Sequence, residues 1–388
     1  MNKIILPRSF IGGSKMKNNL ISKWVTLIFI FCLVSKIALA EGPKAVVMPS
    51  VAPAPNRIED LKTQIRKTPK NLNLVIDLAQ EFYNIADYEK TTLLLWKQID
   101  KLDRNAILLL IRAHIQKNEP EQILKATQIL LSKNAKDAEA STYQGRAYLM
   151  KIKQAPVAEV KRLRLDSLAL ESLKHATEFD PKYQPAYDEL VKLYDKKPRP
   201  NYYELRLLYQ DMIENIGPKF EFYSKLCEID FIDGVNDPAI AACNKAIQLN
   251  PEAPDSYVYL GRVQKQIGSS DIGNKVLKDA AAKFSKSTLA LEAYAKSMEE
   301  EKNYIEAFKY YELCIANEKK SVKCLIGASV SGVEIQKYEK SYEYLKSACE
   351  YERNNSVTAR RISINLKAAK EDSWAQKFEA LAPKCSGY

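Results

Sequence analysis

Six cysteines lie in the second half of the chain, Cys227, Cys243, Cys314, Cys324, Cys349 and Cys385, and a seventh, Cys32, lies near its start. Thiols cross-link, hold metals or act as nucleophiles, and their spacing separates these uses. No C-x-x-C occurs, so neither a zinc ribbon nor a dithiol redox motif is supported. An even number of well-separated cysteines in an exported chain favours disulfides, although six allow fifteen connectivities. The plainer alternative is six reduced, buried cysteines serving as small packing residues.

Other chemistry is sparse. The two histidines, His114 in "LLLIRAHIQK" and His175 in "ESLKHATEF", both sit inside helical patterns. His114 is placed to line an inner surface, but either is more simply an ordinary helix residue than a base or ligand. No phosphate-binding loop, dinucleotide fingerprint, H-E-x-x-H or nucleophile elbow is present. Glu299, Glu300 and Glu301 read as a solvated turn before a new helix. The basic clusters Val160–Leu165 and Asp195–Pro200 are short and diluted, which argues against nucleic acid. No catalytic residue, cofactor or metal is expected.

The elements behind these residues are helical and periodic. From Pro251, steps of 34 residues reach Ser285, Lys319 and Arg353, each closing a helix. The inner face of each carries a small residue, a larger one four on, then another small one: Ala239/Cys243/Ala246, Gly273/Leu277/Ala280, Ala307/Tyr311/Cys314 and Ser341/Leu345/Ala348. One helix pair per period cannot bury its apolar face alone and must stack on its neighbours. Few glycines and no hairpin signal exclude a sheet protein.

The pattern resembles the tetratricopeptide repeat. Tyr257, Leu260 and Gly261 fall at the family's positions 4, 7 and 8; Gly145, Ala147 and Tyr148 follow its G-x-A-Y order. Tyr223, Leu226, Ala239, Ala246 and Pro251 supply a third unit. The resemblance covers roughly residues 71–355, the first two units match loosely, and an insertion at about 151–166 separates the helices of one unit. It implies an all-α, right-handed solenoid of about eight helix pairs with a C-terminal capping segment, Trp374 and Phe378 covering the last pair.

The register of that resemblance also implies pairings. Cys227 and Cys243 fall at positions 8 and 24, on facing sides of one unit. Cys314 at position 27 meets Cys324 at position 3 of the next, which leaves Cys349 for Cys385. In such arrays the first helix of each unit lines a concave groove. Position 9 there reads Arg146, Lys192, Glu228, Arg262 and Lys296, with Phe231 as an exposed aromatic at position 12. A mostly basic groove floor points to a partner with acidic character. The lysine and asparagine set that clamps C-terminal carboxylates in some members is not found.

The first forty residues read as an export signal. Lys3, Arg8, Lys15, Lys17 and Lys23 precede an apolar run from Trp24 to Val34, too short to span a bilayer, and Ala38-Leu39-Ala40 supplies the cleavage pattern; Met16 is a second candidate start. Phe31 before Cys32 excludes a lipidation site. The signal holds six Lys/Arg and no acid, so the formal charge falls from +11 to +5 without it. The expected organisation is therefore signal 1–40, proline-rich tether 41–56, N-terminal units 57–217, C-terminal units 218–355, and capping helices with a tail 356–388. Such a chain reads as a non-catalytic scaffold of the bacterial envelope, periplasmic or secreted, holding one or more envelope proteins, with no nucleic acid and no membrane segment after cleavage. The alternative is an accessory that binds envelope polysaccharide or peptidoglycan. Peptide mapping of envelope-localised protein without reductant is expected to begin at Glu41 and to show no free thiol in the mature chain; an intact leader with six free thiols would overturn export and cross-linking together.

Overall fold

Seven helix pairs are built on a tight turn whose geometry repeats. Ala86, Asn118, Gly234, Gly268, Lys302, Gln336 and Lys370 all take left-handed backbone, with φ from 58° to 85°. In every case the next residue donates its N–H to the carbonyl five positions back, for example Asn303 to Met298 at 2.8 Å and Lys337 to Gly332 at 2.8 Å. This closes the first helix of the pair in a Schellman motif and turns the chain back along it. Side chains then start several of the following helices: Asp87, Asp103, Asn201, Ser287 and Asn303 each accept an N–H from three residues on, as N-caps do.

The computed structural model describes residues 55–154, 158–196 and 200–386, and from Leu61 onward the described residues belong to one compact unit. The expected signal and all but the end of the tether lie outside the described residues; helix begins at Pro55, two residues inside the expected tether. Nineteen α-helices and no strand are present among the described residues. After α1 (Pro55–Lys67) come α2 (Leu72–Asn84) and α3 (Tyr88–Trp96), α4 (Arg104–Gln116) and α5 (Pro120–Lys133), α6 (Ala138–Gln154) and α7 (Glu159–Phe179), and α8 (Gln184–Tyr194) and α9 (Tyr202–Asn215). Then follow α10 (Phe220–Ile232) and α11 (Asn236–Leu249), α12 (Pro254–Gln266) and α13 (Ser270–Lys283), α14 (Thr288–Glu300) and α15 (Tyr304–Asn317), α16 (Val322–Glu334) and α17 (Tyr338–Tyr351), and α18 (Ser356–Ala368) and α19 (Asp372–Leu381).

From α2 to α17 each helix packs on the next, α17 also meets α19 and the tail, and several first helices of successive pairs touch: α2–α4, α6–α8, α10–α12, α12–α14, α14–α16 and α16–α18. The fold is an α-solenoid of tetratricopeptide type. From Phe220 onward first helices start every 34 residues and second helices 16 residues after them. The expected cap, α18 and α19, keeps this phase, so it is a ninth pair whose second helix stops at 10 residues. Phe378 is fully buried there, and Trp374 packs on Tyr338.

The N-terminal pairs are less regular, with first helices starting at Leu72, Arg104, Ala138 and Gln184. The insertion at 151–166 does not separate two helices as loop: residues 151–154 finish α6 and residues 159–166 begin α7. Both helices of this pair are lengthened, to 17 and 21 residues.

Inside a pair, a small residue lies under a large one. A Cβ on Gly145 would sit 2.7 Å from Leu173 Cγ, and one on Gly261 2.6 Å from Leu277 Cγ, both tighter than real contacts. Cys227 and Cys243 occupy the same two positions of their pair and are disulfide-linked, Cα atoms 4.8 Å apart. Cys314–Cys324 joins α15 to α16, and Cys349–Cys385 joins α17 to the tail.

The left-handed turn residues give a direct test. Lys302→Gly removes a strained L-residue and is expected to raise stability by about 0.5–1 kcal/mol, whereas Gly268→Ala lowers it by about 1 kcal/mol. Urea unfolding midpoints that move in the opposite directions would show that these turns do not hold the conformation described.

Candidate functional site

Where first helices of successive pairs approach one another, their outward residues share a face. Three open hollows along it collect all six residues expected from the sequence. Arg146 and Lys192 line one of about 510 Å³. Glu228 lines another of about 230 Å³, beside Tyr202, Tyr209 and Lys225. Phe231, Arg262 and Lys296 share a third of about 480 Å³ with Lys265, Gln266 and Glu300.

Two expectations need correction. Phe231 is half-buried rather than exposed, its ring 5.7 Å from that of Tyr259. The floor is also less basic than the position-9 residues imply. Arg262 pairs with Glu292 at 3.2 Å, Lys296 with Glu299 at 2.8 Å and Lys192 with Glu189 at 2.9 Å. Lys265, not singled out from the sequence, lies against Glu300 at 3.0 Å and Ser297 Oγ at 2.7 Å.

Arg112 was also missed. It sits nine residues into its pair, the same position as Arg146, but the loose match of the first two units hid that register. Its guanidinium reaches Glu139 at 3.0 Å and the Tyr143 hydroxyl at 3.2 Å. Arg104 meets the same Glu139 at 3.1 Å and grips Asp137 through Nε at 2.6 Å and Nη2 at 2.9 Å. Asp137 is buried and also accepts the Ala140 N–H at 3.0 Å at the start of α6. Burial alone would raise the Asp137 pKa, but the Arg104 guanidinium and the helix N–H groups outweigh it and hold it below the ordinary carboxylate value.

The histidines do not join the face. His114 is buried, edge-on to Trp96, with Nδ1 2.7 Å from Glu119; burial lowers its pKa despite that carboxylate. His175 is exposed and stacks on Phe179. Among the described residues no three His, Cys, Asp or Glu side chains converge to hold a metal, and no helix is long and apolar enough to cross a membrane.

No family model matches the chain, and no curated protein matches it. Among solved structures it is similar to yeast Tom70, at 14% identity over 85% of this chain and 81% of that one, TM-score 0.44. It is similar also to the C-terminal part of a TPR repeat-containing protein from Cytophaga hutchinsonii, at 14% identity over 65% and 98%, TM-score 0.48. A third, Pseudomonas aeruginosa PilF, shows 15% identity over 63% and 97%, TM-score 0.39. No residue of the face is carried over from these proteins.

The Asp137 cluster predicts a pH signature. A carboxyl held below its unfolded value stabilises the fold above that unfolded value, and the contribution is lost as pH falls through the folded one. Asp137→Asn is therefore expected to cost about 1–2 kcal/mol at pH 7, with the gap to wild type closing below about pH 4. Urea unfolding of both proteins across this range checks it; a pH-independent gap would exclude the charge as its source.

Proposed function

We propose that this chain is a non-catalytic interaction scaffold of the bacterial cell envelope. It is exported, cleaved after Ala40, cross-linked through its three cysteine pairs, and binds a protein partner along the face made by its first helices. The observation that carries this reading is the row of open hollows on that face, spread over successive pairs rather than closed into one pocket. An extended partner is bound by such a row through many modest contacts, while a small substrate needs one enclosed site with convergent polar groups. The cysteine pairs support the oxidising compartment, since disulfides persist outside the cytosol.

Pull-down of the mature protein from an envelope extract, with mass-spectrometric identification, tests the proposal. One envelope protein is expected at near-stoichiometric yield. It should be lost when Arg146, Lys192 and Lys296 are all replaced by Glu, and retained when Ile305, exposed on second helix α15, is replaced by Glu. Recovery of glycan in place of protein would put the polysaccharide reading in its place.

A further inference from the structure

The hollow of about 510 Å³ differs from the others in how it is built and how its charge is balanced. Its wall is the extra turn of α6, which carries Ile152 and Lys153 beyond the length of the regular first helices. That turn is held in place by the connection between α4 and α5 and the start of α5. Gln154 donates to the carbonyl of Asn118, and Lys151 pairs with Glu121 at 2.6 Å. On the far side Asp166, in the lengthened start of α7, fixes Lys196 at 2.6 Å. The extra turn of α6 is therefore docked against the preceding helix pair.

The floor is apolar and accessible: Ile115, Leu149, Met150, Ile152 and Leu193 line the hollow and each is only half-buried. Lys192 and Lys196 at its rim have carboxylate partners. Arg146 and Lys153 are exposed and have no ion-pair partner among the described residues. The hollow at Phe231 shows the opposite, because Arg262, Lys265 and Lys296 each face a carboxylate. Only the first of these two hollows offers unmatched positive charge beside open apolar surface.

We infer that this hollow is the primary docking point and takes an acidic segment of the partner protein, with an apolar anchor flanked by carboxylates. The inference rests on the scaffold reading above and assigns its site. Seven residues along one helix bring Arg146 and Lys153 to nearly the same side, about 10 Å apart along the axis. A segment with acids on either side of a buried Leu, Met or Phe meets both while its anchor covers the floor. Met150 suits this role, since an unbranched thioether adapts to anchors of different shape.

The probe is a fluorescein-labelled dodecapeptide with two leucines flanked on each side by two glutamates, titrated by anisotropy into the mature chain. Binding is expected to weaken at least tenfold when the glutamates become glutamines or the leucines become serines, and to fall as salt rises. Arg146→Glu with Lys153→Glu should weaken it at least tenfold. Arg146→Lys with Lys153→Arg should retain it, and Ile305→Glu, on second helix α15, should change it less than twofold. Indifference to the Arg146 and Lys153 reversal overturns the assignment, as does binding of phosphatidylglycerol vesicles in place of the peptide. An envelope partner still captured by the Arg146→Glu, Lys153→Glu protein at wild-type yield refutes this hollow and leaves the scaffold reading standing. Peptide binding with no partner captured by wild type leaves the hollow and removes the scaffold.

Discussion

Within each helix pair the two backbones close on one another at a point where one side chain is small and the side chain across from it fills the gap. The approach is near enough that Thr91 Oγ1 donates to the Ala79 carbonyl at 3.2 Å and Ser363 Oγ to the Ala375 carbonyl at 2.9 Å. Leu95, Leu173, Leu277, Tyr311 and Leu345 close the gap and are almost wholly buried. The second pair reverses the order, with Ile111 facing the position of Thr127, both fully buried. Because each pair stacks only on its neighbours, this local fit sets the spacing on which the outer face depends.

The part of the chain that was legible is the part that keeps this fit at constant phase. From Phe220 on, every boundary could be counted forward in steps of 34, including the pair read as a cap. Before Phe220 the count fails for physical reasons. The reversed Ile111/Thr127 pair breaks the small-residue signature, and extra turns on α6 and α7 shift everything after them. A helix extension and a loop insertion look alike in a periodicity argument, since both merely delay the next small residue.

Charges on the face were legible as residues and not as a field. Position-9 cations stand out along the chain, but their matching acids do not: Lys192 and Lys296 pair with acids three residues away on their own helices. Glu292 is a unit away from Arg262, and Glu300 is on the next first helix from the neighbouring cation Lys265. Neutralisation between adjacent pairs leaves most of the face without long-range preference. What discrimination it holds is concentrated where the insertion interrupts the regular matching of one pair to the next.

The cysteines pair strictly in order of appearance: Cys227 with Cys243, Cys314 with Cys324, Cys349 with Cys385. Each bond closes a short stretch, separated by 16, 10 and 36 residues. A chain threaded amino end first into an oxidising compartment therefore presents each thiol with its native partner as the next one to emerge. An oxidase acting on the chain as it arrives would complete the native set without any bond needing to be exchanged. The solenoid, by keeping contacts local, makes the order along the chain and the correct connectivity the same thing.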